Sequence, residues 1–304
     1  MPGRAQRAFA PSPDARGPRR LPRVLRVKDG LRVLGPGDVA ALLALTEKDP
    51  VVNVFVDYRA RLTQLEQRWL GGEVWGYVED GELISACHAA ANLVPVEATP
   101  AAIEAFAARA ETQRRRCATL VGPTNAIRPL WQRLSRTWHD AREVRWHQPH
   151  LEIRGSTAVA PDPGVRRTEP TDLEAIYPAC VAMYTEEVGV SPEAGGGADL
   201  YRARVSQLIS KGWSFARFED DEVVFKAEVA CASPYVCQVQ GVYVHPDRRG
   251  EGLAAPGMAA VVEAARVEIA PIVSLYVNAH NEPARRAYAR VGFEEIGTFS
   301  TVMF

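Results

Sequence analysis

Apolar residues recur along this chain in two rhythms, one spaced by threes and fours and one alternating by twos, and the rhythms come in the same order in both halves. In the first half, "GDVAALLALTEKDPVVNVFVDYRARL" predicts helix, with Asp38 near its start and Asp49-Pro50 interrupting it. "EVWGYVEDGELISACHAAA" predicts a hairpin turning at Asp80-Gly81. "TPAAIEAFAARAETQRRR" predicts a helix capped by Thr99, with Pro100 at its first position. A short buried strand, "CATLVGP", and a helix, "NAIRPLWQRLSRTW", complete the half. In the second half, "EPTDLEAIYPACVAMYTEEVG" predicts a helix broken at Pro178, and "YRARVSQLISKG" another. A hairpin turns at Asp220-Asp221, a long strand covers "YVCQVQGVYVHP", and a helix covers "PGMAAVVEAARVEI". In that helix Met258, Val261, Val262, Ala265 and Ile269 form one apolar stripe. "IVSLYVNA" predicts a strand, "NEPARRAYARVGF" a helix ended by Gly292, and "FEEIG" and "TFSTVMF" two closing strands.

The halves also agree in detail. Trp75 precedes "EDGE" as Trp213 precedes "EDDE", and "TLVGPTNAIRPLW" parallels "SLYVNAHNEPARRAY". Trp75 to Asn125 is 50 positions and Trp213 to Asn281 is 68, so the first copy is 18 residues shorter. What it lacks is a glycine-rich turn. Two related α+β units are expected, at residues 31–154 and 166–304, joined by a Gly/Pro/Ser-rich linker at 155–165. Chance likeness between short apolar segments is the rival reading.

Composition narrows the class. The chain has 304 residues, 47% apolar and 24% charged, which is globular rather than disordered or fibrous. It has no apolar run of membrane-spanning length and no signal-peptide pattern. Five scattered cysteines form no CxxC pair, so neither a disulfide framework nor a metal site is expected, and a reducing cytoplasm fits. The net charge of −1 is uneven: residues 1–30 carry +6, leaving −7 for the rest. That Pro- and Ala-rich basic stretch is expected to be disordered. It could touch nucleic acid or anionic lipid, but a solvated leader is the plainer reading, and neither a membrane nor a nucleic-acid partner is expected.

The missing turn is "HPDRRGEGLAAPG", His245 to Gly257, which joins a strand to a helix. Its glycines permit bends that turn several backbone N–H groups one way, and a helix starts there with free N–H groups and a favourable dipole. Arg248 and Arg249 add charge, and Pro256 is tolerated in the first helical turn. The chemistry suits a pyrophosphate. Gly250, Gly252 and Ala255 also fit a dinucleotide pattern, but the next strand ends at Asn278 rather than an acidic residue, and too little chain follows. No Gly-Lys-Ser/Thr follows, which excludes a Walker loop.

"RGEGLA" resembles the R/Q-x-x-G-x-G/A signature of the GNAT N-acetyltransferases through Arg249, Gly252 and Ala254, and "VYVHP" and "NEPARRAYARVGF" are the flanks expected in that family. The likeness covers residues 166–304 and is greatest to actinobacterial members with an extra N-terminal domain. It implies a mixed α/β, α+β fold with a mostly antiparallel central sheet flanked by helices, in two tandem GNAT-like units of which the first is degenerate. It implies acetyl-CoA as co-substrate and no metal. The strand residues Val242, Tyr243 and Val244 would pair with pantetheine, and the backbone of Arg249, Gly250, Glu251, Gly252, Leu253 and Ala254 would hold the pyrophosphate beside Arg248. Asn278 ends the strand next to the CoA arm, and Asn281 matches the family asparagine there, although it also suits an N-cap.

Acetyl transfer to an amine needs deprotonation of the amine, donors for the oxyanion near Val242, and a proton for the leaving thiolate. Tyr288 matches the family tyrosine that protonates sulfur; a core aromatic is the alternative. The family's usual strand glutamate is absent, since "CQVQG" carries Gln238 and Gln240. Glu228 is one candidate base, although alternation places it beside Lys226 on one strand face, which also suits a plain ion pair. Glu186 and Glu187 are the others, at the substrate cleft, where they could bind an amine or relay its proton; a solvated helix end is their alternative. His245 and His280 suit structural or exposed positions. The expected activity is N-acetyl transfer to a small-molecule, peptide or protein amine, with a CoA-sensing protein lacking turnover as the alternative. Acceptor and oligomeric state, monomer or homodimer, stay open.

Overall fold

The computed structural model of the protein describes residues 29–304, and the basic tail lies outside them except for Asp29 and Gly30. Twelve strands form one continuous sheet. The first half contributes β1 (Gly30–Val33), α1 (Val39–Thr46), α2 (Val54–Thr63), α3 (Gln67–Leu70), β2 (Glu73–Glu79), β3 (Glu82–Ala89), β4 (Asn92–Val96), α4 (Pro100–Thr112), β5 (Thr119–Pro123), α5 (Thr124–Leu134) and β6 (Glu143–Ile153). The second contributes β7 (Arg166–Arg167), α6 (Leu173–Val188), α7 (Ala198–Ser210), β8 (Ser214–Glu219), β9 (Glu222–Ala232), β10 (Val236–Val244), α8 (Ala254–Glu268), β11 (Ile272–Tyr276), α9 (Glu282–Val291) and β12 (Glu294–Met303).

The strand order is β1-β2-β3-β4-β5-β12-β6-β11-β10-β9-β8-β7. Exchanging each strand with the one six places away in the chain and reversing the order returns the same sequence of strands. The sheet therefore carries a pseudo-twofold axis between β6 and β12. Each half gives its last strand to the other: β12 lies against β5, and β6 lies against β11. Both halves hold one parallel pair, β4 with β5 and β10 with β11, and are otherwise antiparallel.

The duplication reaches single hydrogen bonds. Arg32 forks onto Asp38 at 2.8 and 2.6 Å, and Arg166 forks onto Asp172 at 2.7 and 2.9 Å. In each case the carboxylate also accepts a backbone N–H three residues before it, from Gly35 and from Glu169. The paired guanidinium holds both carboxyls below the ordinary aspartate range. The shared spacing, R-x3-P-x-D in "RVLGPGD" and "RRTEPTD", is written in the sequence. Both hairpins turn where expected, with Asp80-Gly81 and Asp220-Asp221 at positive φ.

Three expectations change. α6 runs unbroken through Pro178, the sixth residue of the helix, because buried Ile176, Ala179 and Cys180 hold it to the core on either side of the lost hydrogen bond. The closing segment is one strand, with register shifts at Glu295–Gly297 and Phe299–Thr301 where two strands seemed to meet. Residues 155–165 hold no helix or strand but are docked rather than loose. Asp162 is buried, pairs with Arg217 at 2.8 Å, and donates its N–H to the Pro256 carbonyl at 3.0 Å.

Apolar cores lie on both faces. The stripe of α8, with Met258, Val261, Val262 and Ala265 fully buried, packs on β9, β10 and β11. α4 and α5 do the same for the first half, around Phe106, Ile127 and Leu130. The halves also touch away from the shared strands. Val51 and Val54 pack on Cys231 and Val236, and Lys211 Nζ donates to the Tyr58 hydroxyl at 2.7 Å. All five cysteines are free and buried, and among the described residues no helix is long and apolar enough to cross a membrane.

Candidate active site

β10 and β11 pair only through Val236–Ile272, Cys237–Val273 and Gln238–Ser274. Beyond that point β10 follows β9 to Val244, while β11 follows β6 to Tyr276. The strands part, and among the described residues the edge of β10 that includes Val242, Tyr243 and Val244 has no strand partner on that side. An extended chain with its own amide groups can pair there as an added strand does.

A bulge between Gln240 and Tyr243 interrupts the β9 register at this parting. Gly241 sits in it at φ +62, and a Cβ there would meet Glu228 Cδ and Met183 Cε at 3.0 Å. Lys226 Nζ donates to the Gly241 carbonyl at 3.1 Å and pairs with Glu228 at 3.1 Å, and Gln240 Nε2 donates to Glu228 at 2.9 Å. Burial works against the Lys226 charge, but Glu228 overcomes it and holds the ammonium pKa above its ordinary value. Lys226 fastens the bulge, and Lys226 and Gln240 together occupy both oxygens of Glu228. Glu228→Gln is therefore expected to cost about 3 kcal/mol of stability, because it strands a buried lysine charge. Urea denaturation checks this; a loss below about 1 kcal/mol would show that the pair is effectively solvated.

The turn after β10 is open. Gly250 and Gly252 have φ of +87 and +84. Among the described residues no acceptor is found for the backbone N–H groups of Gly250, Glu251, Gly252, Leu253, Ala254 and Ala255, and Leu253 offers no side-chain cap to α8. Such an array is an anion nest at a helix N-terminus. Its arginines are already engaged: Arg248 with Glu219 and Glu251, and Arg249 with Glu186 at 2.7 Å. The equivalent turn of the first half runs only from Val96 to Pro100, and Thr99 Oγ1 there accepts the Ala102 N–H at 3.2 Å. One half leaves its helix N-terminus bare; the other closes it with its own side chain.

Tyr288 is buried on α9, edge-on to Phe293 at 5.9 Å, with Ala287 and Val291 beside it. No hydrogen bond to its hydroxyl is found among the described residues. Burial, reinforced by the negative charge of Glu187, pushes the phenol well above its ordinary pKa. Asn281 caps α9 by accepting the Ala284 N–H at 3.2 Å, so the capping role expected for it is observed. Asn278 uses its amide within the protein, donating to Glu187 Oε1 at 3.0 Å and accepting from Gln148 Nε2 at 2.9 Å. Glu187 Oε1 also accepts from Arg145 Nη1 at 2.6 Å, while no partner for Oε2 is found among the described residues. His245 accepts the Asp247 N–H within its own turn.

Arg145 and Gln148, both from β6, were not anticipated. Nothing near the glycine turn points to them, because they come from the other half of the chain; only the exchange of strands brings them here.

Comparison with known proteins bears on the fold. Residues 212–293 match the acetyltransferase (GNAT) family, and residues 72–176 match DUF4081, a domain of unknown function whose extent crosses the 155–165 segment. A GCN5-related N-acetyltransferase from Sphaerobacter thermophilus is 19% identical over 90% of this chain and 94% of its own, with a TM-score of 0.60. A GNAT-family acetyltransferase from Colwellia psychrerythraea is 12% identical over 90% and 99%, with a TM-score of 0.55. A tandem GNAT protein from the clavulanic acid biosynthesis pathway is 15% identical over 90% and 98%, with a TM-score of 0.54. At these identities the likeness is one of fold. No curated protein matches the chain.

Proposed function

We propose, for a chain whose second half carries a GNAT acetyltransferase domain, that it moves an acetyl group from acetyl-CoA to a primary amine by direct attack in a ternary complex. The observation that carries this reading is the coincidence of a parted β10–β11 pair with an open nest at the start of α8. Pantetheine would lie along Val242–Val244, and the pyrophosphate would take the N–H groups from Gly250 to Ala255. Arg249 would exchange Glu186 for phosphate.

The amine attacks the thioester carbonyl, and backbone N–H groups near Val242 stabilise the oxyanion. As the C–S bond breaks, Tyr288 donates to the departing thiolate. The ammonium proton leaves through Glu187, whose side chain is half exposed, rather than through Glu228, whose oxygens are taken. Two carboxylates at the cleft, Glu186 and Glu187, suit a cationic acceptor. The first half, with its helix closed by Thr99, binds no CoA, so the expected stoichiometry is one CoA per chain.

Release of free thiol from acetyl-CoA across a panel of amines, amino acids and peptides tests the activity. Acetyl-CoA binding with no thiol release from any acceptor would favour a CoA sensor instead. Gly252→Val tests the cofactor site. No atom lies within 4 Å of a Cβ at Gly252, so space permits the side chain, but φ +84 does not suit a β-branched residue. A backbone rotated out of that region misdirects the nest, and CoA affinity should fall at least about tenfold in a protein that remains folded. Unchanged affinity by calorimetry would remove the pyrophosphate from this turn.

A further inference from the structure

Five side chains form a network of donors and acceptors that converges on Glu187. Thr301 Oγ1 donates to Gln148 Oε1 at 2.6 Å, Gln148 Nε2 to Asn278 Oδ1 at 2.9 Å, and Asn278 Nδ2 to Glu187 Oε1 at 3.0 Å. Arg145 Nη1 meets the same oxygen from the other side at 2.6 Å. Gln148, Asn278 and Thr301 are buried, so each amide orientation is fixed by its neighbours.

Arg145 does more than pair. Its Nη2 donates to the main-chain carbonyl of Glu187 at 2.6 Å, and its Nε and Nη2 hold Glu143 at 2.7 and 3.0 Å. Arg142 donates to the Val188 carbonyl at 2.9 Å. Two of the last carbonyls of α6, which helix geometry leaves without partners, are thus satisfied by arginines of the other half. The Glu187 side chain is half exposed and would otherwise sample many rotamers.

We infer that Arg145, carried by the first unit's strand β6, is a positioning residue of the second unit's active site, fixing Glu187 and the end of α6 against the acceptor. The inference rests on the proposed role of Glu187 and gives the first unit a defined part in the reaction. Arg145 would act through Glu187, which it contacts at both side chain and main chain. Only a forked guanidinium reaches the Glu187 carboxylate, its carbonyl and Glu143 together, so lysine cannot substitute.

Two measurements on the full chain test this separately. Hydrogen exchange of the ligand-free protein reads the holding itself. In Arg145→Ala and Arg145→Lys, amides from 185 to 189 and from 278 to 281 should exchange faster, while those of α8 do not change. Equal exchange in wild type and variants overturns the inference whether or not the protein proves to be a transferase. Kinetics with the best acceptor from the amine panel reads the consequence. Arg145→Ala and Arg145→Lys should each lower kcat/KM for the acceptor about tenfold, with the acetyl-CoA dissociation constant unchanged. Glu187→Gln combined with Arg145→Ala should be no worse than Glu187→Gln alone. Additive losses, or full rescue by lysine, overturn it. Absence of turnover in the wild type counts against the proposed activity and leaves the exchange result to decide the role of Arg145.

Discussion

Tyr288→Phe is expected to lower kcat by roughly 10- to 10⁴-fold, the range a general acid supplies, with acetyl-CoA affinity unchanged. The substitution keeps the ring, its edge contact with Phe293 and the packing on Ala287 and Val291, and removes only the hydroxyl. Burial raises the phenol pKa, so the folded protein keeps this group protonated at neutral pH. The fold-loss should therefore be constant between about pH 6 and 9, below even an ordinary tyrosine pKa. Stopped-flow or thiol-release rates across that range check both statements. A wild-type turnover matched by the variant would leave Tyr288 a core aromatic, and a loss confined to one end of the range would assign the proton to another group.

The second large effect concerns residues 166–304 expressed alone. From the sequence that segment alone is expected to bind CoA, if it is soluble, but to lose selectivity for acceptors; the sheet topology argues for a larger loss. β12 pairs only with β5 and β6, both of which the truncation removes, and β11 loses β6 as well. The fragment would expose β12 and one edge of β11, with the apolar faces of Val302 and Leu275 unsupported. It should give no cooperative unfolding transition and no transferase activity. A fragment from residue 143, which retains β6, should recover part of the sheet and some CoA binding. A folded, active 166–304 fragment would mean that β12 can close directly on β11 and that the exchange of strands is dispensable.

Local signals carried most of the elements. Thr99-Pro100 marks the start of α4, Asp80-Gly81 and Asp220-Asp221 mark their hairpins, and the stripe of α8 faces the core as its spacing requires. Four strands were not legible: the short edge strands β1 and β7, and β4 and β6 inside the sheet. β4, "NLVPV", is short and contains Pro95; the proline is tolerated because it lies beyond the last β4–β5 pair at Leu93. β6, "EVRWHQPHLEI", has charges, two histidines and Pro149, and no local propensity favours an interior strand. It is a strand because β12 and β11 flank it, which is a fact about residues more than a hundred positions away.

The site divides the same way. The nest from Gly250 to Ala255 is a property of consecutive residues and can be read from them. Glu228 required a choice between base and ion pair that alternation alone leaves open, and the third contact, from Gln240, weighs toward the pair. Arg145 was invisible because its relevance depends on topology. The R-x3-P-x-D repeat at Arg32 and Arg166 is the one legible signal of the duplication that composition and periodicity passed over.

The position of β12 also sets the order in which the chain can finish folding on the ribosome. β5 and β6 are synthesised in the first half, yet the strand between them, Glu294–Met303, is made only after every other strand of the sheet. Until those residues leave the exit tunnel the sheet cannot close across its middle, and β5 and β6 each wait with an open edge. Pairing across so long a separation is slow once it becomes possible. Until β12 emerges, nascent chains therefore present unpaired strand edges, the situation in which holding chaperones are needed. Loss of β12 would injure the N-terminal half as directly as the half to which that strand belongs in sequence.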